Sequence, residues 1–124
     1  MVQSASRRFE PTSRSVTSAR RFVEGALGPD RGDHGVLALL VSELASNAVR
    51  HAQTQFVVKV SVDSNTRVEV TDGSPLPPRP AARASRRDGG GHGLVLVDRL
   101  AAAWGYYPAG AGKTVWVETG PNGG

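Results

Sequence analysis

Two short runs with apolar residues at every second position constrain the fold of this chain more than any other feature. Residues 56–62 (FVVKVSV) and 67–71 (RVEVT) show this pattern, with Ser64 and Asn65 between them. A period of two residues is typical of strands with one buried face and does not fit a helix. Because the connection between the runs is short and polar, the sequence predicts an antiparallel hairpin.

Other segments show helical spacing or strand composition. The pattern predicts helices from Thr12 or Ser13 to about Leu27, from about Gly35 to Ala52, and over 94–104. It also predicts an edge strand near Phe9–Pro11 and closing strands over 104–107 and 113–118. The order β-α-α-β-β-loop-α-β-β indicates an α+β fold. We expect a two-layer α/β sandwich, with about three helices on one face of a mixed, mostly antiparallel sheet.

Length and composition narrow the class of protein. The chain has 124 residues, which suits a single domain over 1–124. It has no cysteine, which excludes disulfides, thiolate metal sites and cysteine nucleophiles. Its longest apolar run, Val36–Val41, is far shorter than the roughly 20 residues that span a bilayer. With no signal-like N-terminal run, we expect a cytoplasmic protein without a membrane partner.

The net charge of +4 leaves several partners open. Five of the basic residues precede Phe22, and four more lie in 79–87. Such charges can solvate a helix face and a loop, or bind phosphates or an acidic protein. Binding of DNA through the basic N-terminus is a further hypothesis. No zinc-finger spacing, RNA-recognition aromatic motif or basic-zipper heptad accompanies the charge, so we expect no direct nucleic-acid partner.

The second predicted helix carries a row of polar side chains beside its apolar stripe. At about 100° per residue, Glu43, Asn47 and Arg50 fall in one arc, roughly 120° from the apolar stripe, with His51 between the two. A solvated face with a simple Glu43–Asn47 pair is one interpretation. Asparagine is a poor choice inside a helix, however, and a carboxylate followed one turn later by an amide oxygen can hold Mg²⁺.

Two loops offer groups that could bind a nucleotide. Asp72 and Gly73 follow the hairpin and could form a plain turn or accept a hydrogen bond from a purine amine. Residues 89–93 (GGGHG) precede a predicted helix and could be a hinge or bind phosphate. The dinucleotide and P-loop patterns both fail, because Leu94 and Tyr107 stand where those motifs require glycine.

In order along the chain, ELASNAVRHA, VTDGSP, GGGHGLVLVD and GKTVW resemble the GHKL, or Bergerat-fold, ATPase superfamily. Within it they are most similar to the anti-sigma factor serine/threonine kinases. The resemblance covers a core of about residues 9–118 and implies ATP and Mg²⁺ as cofactors, with a flexible lid over about 73–93. One departure is the short box at Asp72, where Ser74 and Pro75 replace the pattern that leads to a second glycine.

The resemblance also implies roles for individual residues. Glu43 matches the general base, Asn47 the Mg²⁺ ligand, Asp72 the acceptor of the adenine amine, and Thr114 a threonine that reaches adenine, usually through water. Gly91 and Gly93 match the glycines of the phosphate lid. Further expected contacts with the nucleotide come from Arg50, His51, Gly73, Gly89, His92 and Leu94.

Two functions follow from the resemblance. The first is a protein serine/threonine kinase that regulates transcription by partner switching, with a sigma factor and an anti-anti-sigma (STAS-type) protein as partners. The second is a catalytically weak ATP-binding module that acts by capturing a partner. The resemblance also admits a homodimer. The chain has no helix pair for dimerisation and phosphate acceptance, which argues against a stand-alone histidine kinase.

Overall fold

The computed structural model of the chain describes residues 3–28, 35–78 and 92–120, and these contain both helices and strands. The elements are β1 (Gln3–Phe9), α1 (Ser13–Leu27), α2 (Gly35–Asn47), β2 (Phe56–Val62), β3 (Thr66–Asp72), α3 (His92–Leu100), β4 (Ala103–Ala109) and β5 (Gly112–Thr119). A π-helical turn, Ala48–Ala52, continues α2. In these ranges no helix is both long and apolar enough to cross a lipid bilayer.

The described strands form one sheet in the order β1-β2-β3-β5-β4, and every neighbouring pair is antiparallel. The predicted hairpin is confirmed as β2 and β3, in which Phe56 lies opposite Asp72 and Val62 opposite Thr66. The α+β architecture is therefore as the sequence predicts. The sheet is antiparallel throughout the described strands, whereas a mixed sheet was expected.

The hydrophobic core lies between the helices and one face of the sheet. Helix α2 packs between α1 and α3, and its side chains Leu40, Val41 and Leu44 are almost fully buried. The strands meet them with the valines of one face, since alternate residues of a strand share a face. These buried strand residues include Val58, Val60, Val68, Val70 and Val117. The end of α2 is thereby held against the middle strands.

Two element boundaries differ from the sequence prediction. Strand β1 covers Gln3–Phe9, whereas we predicted an edge strand near Phe9–Pro11. Its residues before Phe9 are exposed and, apart from Ala5, polar, so no alternation of polarity marks the strand. Helix α3 ends at Leu100, and Trp104 belongs to β4, where its indole Nε1 donates a hydrogen bond of 3.0 Å to Asp98 Oδ1. The apolar spacing of 94–104 therefore spans a helix and the start of a strand.

A cluster centred on Arg67 covers part of the sheet face that points away from the helices. Arg67 Nε donates to Glu69 Oε2 and Arg67 Nη1 to Glu118 Oε2, both at 2.9 Å. The guanidinium carbon lies 4.3 Å from the centroid of the Trp116 ring. Burial lowers the pKa of Arg67, but the hydrogen bonds to Glu69 and Glu118 outweigh it and the pKa is raised overall. Arg67 is thus a fixed positive charge.

Replacing Arg67 with alanine is expected to lower the free energy of unfolding by only about 1 kcal/mol. The ion pairs are partly open to water, since 30% of the Arg67 side chain is exposed, and such pairs contribute little. The stacking on Trp116 adds a comparable small term. Urea denaturation of the two proteins measures the difference. A loss of several kcal/mol would show that this cluster is a main support of the sheet.

Candidate functional site

A cavity of about 270 Å³ opens where the end of α2 faces the start of β5. It is lined by Asn47, His51, Ser74, Leu76, Pro77, Pro78 and Lys113. Polar groups come from the helix end, from the segment after β3 and from β5. Apolar contacts come from Leu76 and the two prolines. A concave site with a few converging polar groups and apolar walls is typical of small-molecule binding.

A buried ion pair lies at this end of the sheet. Lys113 Nζ is 3.1 Å from Asp72 Oδ1 and 3.0 Å from Asp72 Oδ2. Only 6% of the lysine side chain and 2% of the aspartate side chain are exposed. Because buried charges must be paired, each of these groups depends on the other. Lys113 lines the cavity, whereas Asp72 does not line it and lies behind the lysine.

The sheet register brings the two charges together. Asp72 ends β3 and lies opposite Lys113 of β5. Residues directly opposite in an antiparallel pair share a face, and here it is the helix-facing side that Val68 and Val70 occupy. At the start of β5, a Cβ atom added to Gly112 would overlap the backbone carbonyl of Asp72. Glycine at this position is therefore what allows β5 to come this close.

The same register sets the direction of the Thr114 side chain. Thr114 lies opposite Thr71, and their hydroxyl oxygens are 2.7 Å apart. Both side chains are on the sheet face that points away from the helices, one residue out of phase with Asp72. Thr114 is not among the cavity-lining residues, and its contact with adenine, usually through water, stays a prediction. The strand presents Lys113 to the cavity instead.

The polar face of α2 reaches the cavity at its C-terminal end. Asn47 is the last residue of α2, and His51 follows on the π-helical turn; both line the cavity. Such turns occur frequently at functional sites. Glu43 is half-buried one turn before Asn47, and Arg50 is exposed; neither is among the cavity-lining residues. Of the predicted row, Asn47 therefore lines the cavity, whereas Glu43 and Arg50 do not. His51, which was predicted beside the row, lines the cavity as well.

The loop after β3 is held by short hydrogen bonds. Ser74 N donates to Asp72 Oδ1 at 2.9 Å, and Gly73 N donates to Thr54 Oγ1 at 2.8 Å. A Cβ at Gly73 would lie 3.3 Å from the Thr54 methyl group, so the glycine fits closely against that residue. These bonds fix the orientation of the Asp72 carboxylate and place Ser74 at the cavity.

The glycine-rich segment is described only in part. Gly89 and Gly91, for which we predicted contacts with phosphate, lie outside the described residues. His92, Gly93 and Leu94 form the first turn of α3. The predicted helix start after the glycines is thus present in the backbone.

Sequence reasoning did not single out Lys113 as a site residue. The alternating pattern of residues 113–118 (KTVWVE) could have indicated the direction of the Lys113 side chain. The valines at 115 and 117 had to face the core, and position 113 shares their face. The P-loop pattern, in which Lys113 would be the lysine, fails because Tyr107 stands where that motif requires glycine.

A sequence model of the family described as histidine kinase-like ATPase domain matches residues 9–119, which is nearly the whole chain. The chain belongs to this family. Histidine kinase-like ATPase domains imply ATP as the ligand, which agrees with the resemblance seen in the sequence.

A solved structure supports the fold of the histidine kinase-like ATPase domain. It contains the RsbU and RsbW domains of Rv1364c from Mycobacterium tuberculosis, and it is similar with a TM-score of 0.67 at 20% sequence identity. The match covers 94% of this chain but 32% of that one, so this chain spans about a third of its length. Among curated proteins, none matches the sequence significantly.

The residues of the cavity fit the nucleotide expected of a histidine kinase-like ATPase domain. The volume of the cavity, about 270 Å³, is close to the lower limit of the roughly 300–1,000 Å³ of ligand pockets. The part of the chain described here holds no group of three or more His, Asp or Glu side chains placed to bind a metal. Mg²⁺ suits such a site, because it usually takes few protein ligands and completes its shell with water and phosphate oxygens. Asn47 is the residue that would hold it.

Proposed function

We propose that this protein is an ATP- and Mg²⁺-dependent serine/threonine kinase of the anti-sigma factor type, which regulates transcription by partner switching. The observation that carries the proposal is the convergence of Asn47, His51 and Lys113 on one cavity beside buried Asp72. The family match supports ATP as ligand. The similarity to a structure that includes an RsbW domain supports the choice of a regulatory kinase within that family.

Each polar group has a task in this proposal. Asn47 holds Mg²⁺ against the phosphates through its amide oxygen, since Mg²⁺ prefers oxygen ligands. His51 and the amides at the start of α3 face the phosphates. Asp72 accepts a hydrogen bond from the amine of the base. Bound ATP supplies the phosphoryl group, and transfer needs mainly positioning and charge stabilisation.

Glu43 is the proposed general base. It is half-buried on α2, one turn before Asn47, and therefore on the same side of the helix. From there its carboxylate takes the proton of an incoming serine or threonine hydroxyl. The acceptor would be an anti-anti-sigma protein, and a sigma factor would be the partner released or captured.

The test combines labelled ATP with the purified chain and an anti-anti-sigma protein. Transfer of the γ-phosphoryl label to a serine or threonine of that protein supports the kinase. Stabilisation by ATP without any transfer favours the second function, an ATP-binding module that acts by capture. Absence of ATP binding, read as no change in melting temperature with ATP and Mg²⁺, contradicts both.

Replacing Asn47 with alanine is expected to weaken binding of ATP in the presence of Mg²⁺ by about 10- to 100-fold, the worth of a contact to a charged group. In excess EDTA, the variant and the original chain should bind ATP equally. Calorimetric titration in both buffers measures this. Asn47→Asp is the matched control, because it keeps an oxygen ligand and should retain the Mg²⁺ dependence. An Asn47→Ala variant that keeps it as well would exclude Asn47 as the Mg²⁺ ligand.

A further inference from the structure

We propose that Lys113 determines the specificity of the site for the base, by donating a hydrogen bond to a ring nitrogen that lies next to the amine read by Asp72. This inference rests on the proposed binding of ATP. It assigns a direct contact with the base to a residue for which the family resemblance implied no role.

The carboxylate of Asp72 has little capacity left to accept hydrogen bonds from a ligand. A carboxylate has about four acceptor positions, two on each oxygen. Oδ1 already accepts from Ser74 N and from Lys113 Nζ, and Oδ2 accepts from Lys113 Nζ. Counting donors from the described residues, one acceptor position is left, on Oδ2. Asp72 can take a single N–H group from a ligand while the ion pair stays intact.

The ammonium group of Lys113 has one more N–H donor than its pair with Asp72 uses. Its ammonium group has three N–H bonds, and the two carboxylate oxygens of Asp72 account for two of them. The remaining contact, to the Ser74 carbonyl oxygen, is 3.5 Å long and too long for a strong hydrogen bond. Because Lys113 lines the cavity, an acceptor of a bound ligand can replace this long contact while the pair with Asp72 stays intact.

The acceptor of Asp72 and the donor of Lys113 complement the hydrogen-bonding edge of adenine better than that of guanine. With Asp72 packed behind Lys113, the edge of a base that reaches this pair would meet one acceptor and one adjacent donor. Adenine presents the complementary groups side by side, with the exocyclic amine as donor and N1 as acceptor. Guanine presents two N–H donors beside its carbonyl oxygen, and Asp72 can satisfy only one. A polar group left unpaired in a buried site is costly, so adenine is favoured over guanine.

The pair also keeps the site electrically neutral. A lone buried carboxylate would attract cations and repel the phosphates nearby, whereas the Asp72–Lys113 pair presents no net charge to a neutral base. Cytosine offers the same donor and acceptor on a single ring. Analogues of ATP that lack one ring nitrogen therefore test the contact more sharply than a comparison of whole nucleotides.

The test measures dissociation constants of the unaltered chain for ATP, 1-deaza-ATP and 7-deaza-ATP by calorimetry. The first analogue replaces N1 with a C–H group, and the second replaces N7 and serves as control. We expect 1-deaza-ATP to bind about 10- to 100-fold more weakly than ATP, as for loss of a hydrogen bond to a charged donor. We expect 7-deaza-ATP to bind like ATP.

Two variants then assign the contact to the lysine. Lys113→Met should bind ATP more weakly and no longer distinguish ATP from 1-deaza-ATP. That variant leaves Asp72 charged and buried, so its folding has to be checked by circular dichroism. The double variant Asp72→Leu/Lys113→Met has neither a buried charge nor a donor for the ring nitrogen, and should likewise bind both nucleotides equally.

The outcomes separate this inference from the proposed function. Equal binding of ATP and 1-deaza-ATP by the unaltered chain would overturn it, as would variants without the lysine that still prefer ATP. Tighter binding of ATP by Lys113→Met would also overturn it, because the lysine would then merely cover Asp72. In each of these cases ATP still binds and the proposed function stands. If none of the three nucleotides binds, both proposals are wrong.

Discussion

Replacing Asp72 with alanine is expected to lower the free energy of unfolding by about 3–5 kcal/mol, the typical cost of leaving one member of a buried ion pair without its partner. The lysine side chain is 6% exposed and has the two Asp72 oxygens as its near hydrogen-bond acceptors. Domains of this size are stable by only about 5–15 kcal/mol. The variant should therefore melt at a markedly lower temperature, as circular dichroism would record.

Two control variants isolate the cause of this loss. Glu69→Ala removes a carboxylate from the same strand, but from a partly exposed ion pair on the other sheet face, and should cost about 1 kcal/mol or less. Asp72→Asn/Lys113→Met removes both buried charges and should recover much of the lost stability. A double variant as unstable as Asp72→Ala would show that packing, and not an unpaired charge, dominates at this position.

Replacing Glu43 with alanine is expected to reduce phosphoryl transfer by about 10²- to 10⁴-fold, the usual contribution of a general base. Binding of ATP should be nearly unchanged, because Glu43 is not among the cavity-lining residues and Asn47 is retained. Single-turnover assays with γ-labelled ATP measure the rate, and calorimetry measures the affinity. The expected result is a fall in kcat without a matching change in the dissociation constant.

Two further variants serve as controls for this prediction. Glu43→Gln keeps the shape of the side chain but cannot accept the proton, and should lose as much activity as Glu43→Ala. Ser42→Ala changes the neighbouring residue, whose hydroxyl donates to the Ala38 carbonyl oxygen of its own helix at 2.9 Å, and should keep the full rate. Transfer by Glu43→Ala at the original rate would exclude Glu43 as the base.

Much of the fold could be predicted from local patterns. The hairpin of β2 and β3 and the helix α1 followed from periods of two and 3.6 residues. Strand β1 escaped prediction because an exposed edge strand needs no alternation of polarity. The end of α3 escaped because apolar residues continue from the helix into β4 without a change in spacing.

Sequence patterns point to candidate site residues on one element, but not to residues that two elements bring together. Helical geometry grouped Asn47 with Glu43 and Arg50 and left His51 beside that row, whereas Asn47 and His51 both line the cavity. The pairing of Asp72 with Lys113 depends on the register between β3 and β5, and these two residues are 41 positions apart along the chain. A shift of one residue turns a side chain to the opposite face, so without the register the sequence could not show whether Lys113 or Thr114 shares the face of Asp72.

The closeness of β5 to Asp72 has a consequence for how this pocket can be altered. At position 112 even the smallest side chain would collide with main-chain atoms, which no choice of rotamer can move aside. Position 113, next to it, is limited by chemistry and not by space. Evolution or a designer can therefore retune the ligand at 113 by exchanging one functional group for another, whereas 112 acts as a spacer that sets where any such group will stand.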